Sequence, residues 1–151
     1  MNNIDTAKIK IAVISGYFNP IHIGHLDYIE AAKRLGDELW VIINSDEQVK
    51  LKGSVPFQNE NDRFRIVKSL SSVDAVFIST DKDHSVITTL KNIYRIVSMS
   101  GGVLVFANGG DRKAGNTPEE NFCSNNGIET AYSVGGKKIQ SSSNLIKEVS
   151  T

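Results

Sequence analysis

Short runs of β-branched and aliphatic residues alternate along this chain with apolar residues at helical spacing. That alternation limits the folds open to it more than any other feature. Residues 9–15 (I-K-I-A-V-I-S) read as a strand. Over residues 24–35, Leu26, Ile29, Ala32 and Leu35 recur at helical intervals, and Gly36 ends the period. Residues 39–44 form an apolar run, as in a strand covered on both faces. Residues 61–70 set Phe64, Val67 and Leu70 on one helical face, and 73–79 read as a third strand. Residues 85–97 align Val86, Leu90, Ile93 and Val97 on another helix, followed by strands over 103–107 and 128–134. Residues 141–149 read as a closing helix. Five strands with intervening helices and right-handed crossovers predict an α/β fold: an open, parallel, five-stranded Rossmann-like sheet with helices on both faces. Such sheets take ligands beyond the carboxyl ends of their strands, near a switch in strand order.

Composition narrows the function classes. With 151 residues, 40% hydrophobic and 23% charged, the chain has ordinary globular proportions, and a single domain over 1–151 is expected. Seventeen basic residues balance 17 acidic ones without forming a cluster, which argues against a nucleic-acid partner. Cys123 is the single cysteine, so no internal disulfide forms and a reducing compartment suits the chain. The apolar run at 39–43 is too short for a bilayer, and residues 1–5 lack a charged leader and apolar core. A cytoplasmic setting with no membrane contact is therefore expected. The polar, turn-rich stretch 108–126 is long for a passive connection, which marks it for function or motion.

The densest cluster of chemistry-bearing residues follows the first strand: Ser15-Gly16-Tyr17-Phe18-Asn19-Pro20-Ile21-His22-Ile23-Gly24-His25. Two histidines flank a glycine at the mouth of a predicted helix. Unsatisfied N–H groups and the helix dipole favour an anion there. Imidazole N–H groups could donate to phosphate oxygens whose charge rises in a transition state. The same pattern also suits a plain helix cap. A zinc pair fits less well, because helical i,i+4 spacing is usual and no cysteine or third histidine lies nearby.

This stretch resembles the H-x-G-H signature of the nucleotidyltransferase superfamily. It is most similar to the cytidylyltransferase-like group, which includes glycerol-3-phosphate cytidylyltransferase and heptose 1-phosphate adenylyltransferase. Further segments are similar in order: residues 35–46 to G-D-x-L-x-V-x-x-N-S-D, and Lys50-Leu51-Lys52-Gly53 to the basic stretch that follows. Arg63 falls at the arginine of an E-x-R segment, and residues 73–76 match V-D-x-V. Gly109-Gly110-Asp111 resembles a G-G-D turn, and residues 141–146 resemble S-T-T-x-I-I.

The resemblance implies transfer of a nucleotidyl group from a triphosphate to a phosphate-bearing acceptor, with release of pyrophosphate and with Mg²⁺ carried on the substrate phosphates. No resident metal site is expected. His22 and His25 would contact the triphosphate, Lys50 or Lys52 would reach phosphate oxygens, and Arg63 would hold acceptor or nucleotide. Gly16, Tyr17, Phe18, Asn19 and Gly24 would form the nucleotide-facing loop. Gly109 and Asp111 would lie near the nucleotide, and Ser141 and Ser142 would meet phosphate at a second helix start. A homodimer is implied as well.

Two departures stand out. Asn19 replaces the aspartate of many relatives, and Gly135-Gly136-Lys137-Lys138-Ile139-Gln140 lacks the arginine of the glycerol-3-phosphate enzymes. Lys137 or Lys138 is the candidate substitute for that charge. CTP is the first expectation for the triphosphate, because the small form is similar to the cytidylyltransferases. ATP with a sugar phosphate or mononucleotide is the alternative, and a non-catalytic nucleotide-binding protein is the alternative of another class. His84 reads as a surface or capping residue, and Cys123 as no nucleophile.

Overall fold

The computed structural model describes residues 8–110 and 117–136. In chain order the elements are β1 (Lys10–Gly16), α1 (Ile23–Lys33), β2 (Glu38–Ile43), α2 (Asp46–Leu51) and α3 (Glu60–Lys68). They continue as β3 (Ala75–Ile78), α4 (Ile87–Met99), β4 (Val103–Gly109), α5 (Glu120–Asn125) and β5 (Glu129–Val134). The strands form one sheet in the order β3-β2-β1-β4-β5, and every pairing is parallel.

The two-residue period of the strands divides the interior into two cores. Ala12 and Ile14 of β1 join Leu39, Val41, Ile43, Val105 and Ala107 on the face covered by Ile29 and Ala32 of α1 and Val67 of α3. Ile11 and Val13 join Ile42, Leu104 and Phe106 on the face covered by Leu90, Ile93 and Val97 of α4 and Cys123 of α5. Helices therefore lie on both faces, as the periodicity predicts.

The sequence reading contains neither α2 nor α5. A capping box starts α2: Gln48 N–H donates to Ser45 Oγ and Ser45 N–H donates to Gln48 Oε1, each at 3.1 Å. Six residues leave no room for a hydrophobic period, so the Ser-x-x-Gln spacing is its one legible signal. The equally short α5 lies inside the polar stretch and has no side-chain cap bond. The start of α4 is capped from outside the helix. Asp81 accepts the backbone N–H groups of Thr88 (2.7 Å) and Thr89 (3.0 Å). The predicted closing helix over 141–149 lies outside the described residues. Among the described residues, no helix is long and apolar enough to cross a membrane.

Strand order reverses beside β1. The chain runs outward through β2 and β3, then returns to place β4 on the other side of β1. A crevice at such a point collects the loops that leave β1 and β4 at their carboxyl ends. The histidine motif occupies the first of those loops.

Candidate active site

The loop from β1 to α1 is built around a buried aromatic plug. Phe18 is 1% exposed and adopts φ 48°, a conformation that residues with side chains rarely take. Its ring lies under Gly16, where a Cβ would come within 2.8 Å of it. The same ring meets His25 edge-on at 4.8 Å between centroids. The Asn19–Pro20 peptide that follows is cis.

His22 and His25 open α1 as a reciprocal cap. Gly24 N–H donates to His22 Nδ1 and His22 N–H donates to His25 Nδ1, each at 3.1 Å. The rings stack at 3.8 Å with 21° between their planes. Because Nδ1 of each ring accepts a backbone hydrogen, the neutral imidazole carries its proton on Nε2. The capping and phosphate-donor readings of the motif are therefore compatible. One nitrogen of each ring orients it, and the opposite edge is a donor at a helix N-terminus. Gly24 suits this packing, since a Cβ there would sit 3.0 Å from His22 Cε1 and 3.2 Å from Nδ1 and the ring would have to give way.

Buried polar side chains stitch this loop to the segment between α2 and α3. Arg63 is 1% exposed. Its Nη1 donates to the carbonyls of Tyr17 (2.8 Å) and Asn44 (2.7 Å), Nε to the carbonyl of Gln58 (2.9 Å), and Nη2 to Asp46 Oδ1 (2.7 Å). Asn19, 3% exposed, donates through Nδ2 to the Val55 carbonyl at 2.8 Å. Its Oδ1 accepts the N–H groups of Phe57 (2.7 Å) and Gln58 (3.2 Å). Gln48 is fully buried and donates to the carbonyls of Asp83 (2.7 Å) and Ser85 (2.8 Å), while its Oε1 accepts from Asn44 Nδ2 at 3.0 Å. Lys52 closes the set, with Nζ 3.8 Å from the centroid of the Tyr17 ring.

Several predicted site residues thus meet at one end of the sheet: Gly16, Tyr17, Phe18, Asn19, His22, Gly24, His25, Lys52 and Arg63. The resemblance assigns Arg63 to acceptor or nucleotide; in the structure four hydrogen bonds of its guanidinium go to protein groups and tie the loops together. The Asn19 carboxamide likewise faces protein on both sides. Lys50 lies on the exposed side of α2. The missing side chain of Gly109 is accounted for by Tyr28, whose ring atoms lie 2.7–3.2 Å from where a Cβ would stand. Tyr28 also donates its hydroxyl hydrogen to the Ala107 carbonyl at 2.6 Å. Asp111, Lys137, Lys138, Ser141 and Ser142 lie outside the described residues.

Asn44, Asp46, Gln48 and Tyr28 are supporting residues that the sequence reading did not assign. The N-S-D match contains the first two but gives no sign of their partners. His84 is exposed. Cys123 is fully buried, and burial together with the nearby Glu119 and Glu120 pushes its thiol up to about 12, which rules out an activated nucleophile. Among the described residues, no group of three or more His, Cys, Asp or Glu side chains could hold a metal ion.

A family model described as cytidylyltransferase-like matches residues 13–123, from the middle of β1 to the middle of α5. The chain belongs to the cytidylyltransferase-like family. It is 37% identical over 129 residues to the bifunctional protein HldE of Haemophilus influenzae (strain PittGG), a match covering 79% of this chain. The match spans only 27% of the length of HldE. FAD synthase of Thermoplasma acidophilum is 38% identical over 69 residues, 46% of this chain and 49% of that enzyme. The lipopolysaccharide core biosynthesis protein of Thermoplasma volcanium GSS1 shares the fold, with a TM-score of 0.62 over 82% of this chain and 95% of its own, at 22% identity. In this cytidylyltransferase-like chain, the histidine loop at the strand switch falls inside the matched region.

Proposed function

We propose that this nucleotidyltransferase-family chain moves a nucleoside monophosphate from a triphosphate to a small phosphate-bearing acceptor. An acceptor phosphate oxygen attacks the α-phosphorus, the bond from that phosphorus to the bridging oxygen breaks, and pyrophosphate leaves. The observation that carries this reading is the stacked His22–His25 pair, with each Nδ1 tied to backbone and each Nε2 a donor at the start of α1. Donors fixed before the reaction stabilise charge that grows on the transferring phosphoryl group without reorganising at that moment. The orphan N–H groups and dipole of α1 add to that field. Lys52, and Lys50 two residues before it at the end of α2, supply flexible point charges for the β- and γ-phosphates. Mg²⁺ enters with the triphosphate, carried on its phosphates, as the family resemblance implies.

ATP is the triphosphate the relatives favour, because FAD, the product in the name of FAD synthase, contains an adenylyl group joined to a phosphate-bearing flavin. CTP remains the second reading, on the sequence resemblance. The alternative of another class is a non-catalytic nucleotide binder; Asn19, the residue that raises it, has both ends of its carboxamide bonded to backbone.

The test is pyrophosphate release, offering MgATP and MgCTP in turn against phosphorylated sugars, polyols and mononucleotides. His25→Ala should lower kcat by about 10²–10³-fold, the loss typical of a missing transition-state donor. Wild-type turnover in that variant would remove the assigned role. Triphosphate binding without release from any pair would favour a non-catalytic nucleotide binder.

A further inference from the structure

The segment from Lys52 to Gln58 has an unusual means of support. None of its side chains is buried, and Val55 and Phe57 are 71% and 55% exposed. Side-chain packing therefore does not hold it. At one end the N–H groups of Lys52, Gly53 and Ser54 donate to the carbonyls of Gln48 (3.1 Å), Lys50 (2.9 Å) and Val49 (3.1 Å), and at the other the Gln58 carbonyl accepts from Arg63 Nε. Between them the backbone is gripped by Asn19 alone among the described side-chain hydrogen bonds, through one donated and two accepted. That grip needs both functions of a carboxamide. A carboxylate could still accept from Phe57 and Gln58, but it has no hydrogen for Val55 and would set oxygen against oxygen. Without that hydrogen the Val55 carbonyl loses its bond to Asn19. Lys52 begins this segment and rests on the ring of Tyr17, two residues before Asn19.

We propose that Asn19 is a positioning residue that fixes the 52–58 segment, and with it Lys52, against the histidine loop, and that an amide rather than a carboxylate is required there. The part concerning Lys52 rests on the nucleotidyl-transfer reading, whereas the grip on the segment does not.

Two measurements on the full chain test this. Hydrogen exchange across residues 52–58 should be about 10-fold faster in Asn19→Ala than in wild type. Asn19→Asp should be intermediate, because it keeps two of the three bonds and serves as the check if the alanine variant fails to fold. A double-mutant cycle of either Asn19 variant with Lys52→Ala should be non-additive, the double variant being no more than about twofold slower than the slower single one. A loss that arises from general destabilisation would instead multiply with the loss from Lys52→Ala. Unchanged exchange in both Asn19 variants, or multiplying effects, would overturn the proposal. If wild type releases no pyrophosphate with any pair, the cycle is read from MgATP and MgCTP affinity by calorimetry. Silence in the assay then counts against the enzyme reading, while exchange and coupling still decide the role of Asn19.

Discussion

The face of the sheet beneath α4 and the carboxyl ends of β1 and β2 are held by different forces. Under α4, Val86, Leu90, Ile93 and Val97 pack on Ile11, Val13, Ile42, Leu104 and Phe106, and the contact is apolar. At the carboxyl ends, Arg63, Asn19, Asn44 and Gln48 are buried, and each is hydrogen-bonded to backbone carbonyls or to its neighbours. Apolar burial is non-directional, so it fixes where a helix lies more tightly than how any one atom is aimed. Hydrogen bonds to chosen carbonyls fix loop backbone in three dimensions. A site that must hold its donors within roughly 0.5 Å of their productive positions needs the second kind of support.

Substitutions on either side should separate these forces. Arg63→Ala is expected to have the largest effect, about 3–5 kcal/mol in a denaturant melt, because it strands three carbonyls and Asp46 at once. It should also abolish tight triphosphate binding in whatever fraction stays folded. Leu90→Ala should cost about 3 kcal/mol through its cavity, yet leave kcat per folded molecule within about twofold of wild type. Equal loss of turnover in the two variants, measured where both are folded, would break the comparison. Gly24→Ala should do the reverse. Alanine is the better helix former, so stability should change by less than about 1 kcal/mol. The new Cβ nevertheless presses on the His22 ring, and turnover should fall at least about 10-fold; a fully active variant would show that His22 need not hold its position.

The same contrast explains what could be read from the chain. Leu90, Ile93 and Val97 announce α4 through their spacing, and the run from Leu39 to Ile43 announces a strand covered on both faces. Strand count, parallel order and helices on both sides follow from such patterns. The histidine motif is legible as the opening of α1, where both rings act as caps, and its phosphate role comes from the family resemblance. The polar network is not legible. Arg63 on an otherwise charged helix looks like a surface residue or a substrate clamp. Its carbonyl partners belong to Tyr17, Asn44 and Gln58, which only the folded topology brings together. Asn19 reads as a weakened aspartate until the Val55 carbonyl in front of its amide is seen. Backbone partners have no side-chain signature, and that is why supporting residues escape a reading that finds the donors they support.

The histidine tautomers give the most direct test of the central claim, through ¹⁵N-detected NMR of the imidazole nitrogens with and without MgATP or MgCTP. The account predicts that in the free protein the neutral forms of His22 and His25 both carry hydrogen on Nε2 and have unprotonated Nδ1, and that a saturating triphosphate shifts both Nε2 resonances while the Nδ1 pattern is kept. A proton on Nδ1 of either neutral ring, or Nε2 resonances unmoved by bound triphosphate, would contradict it.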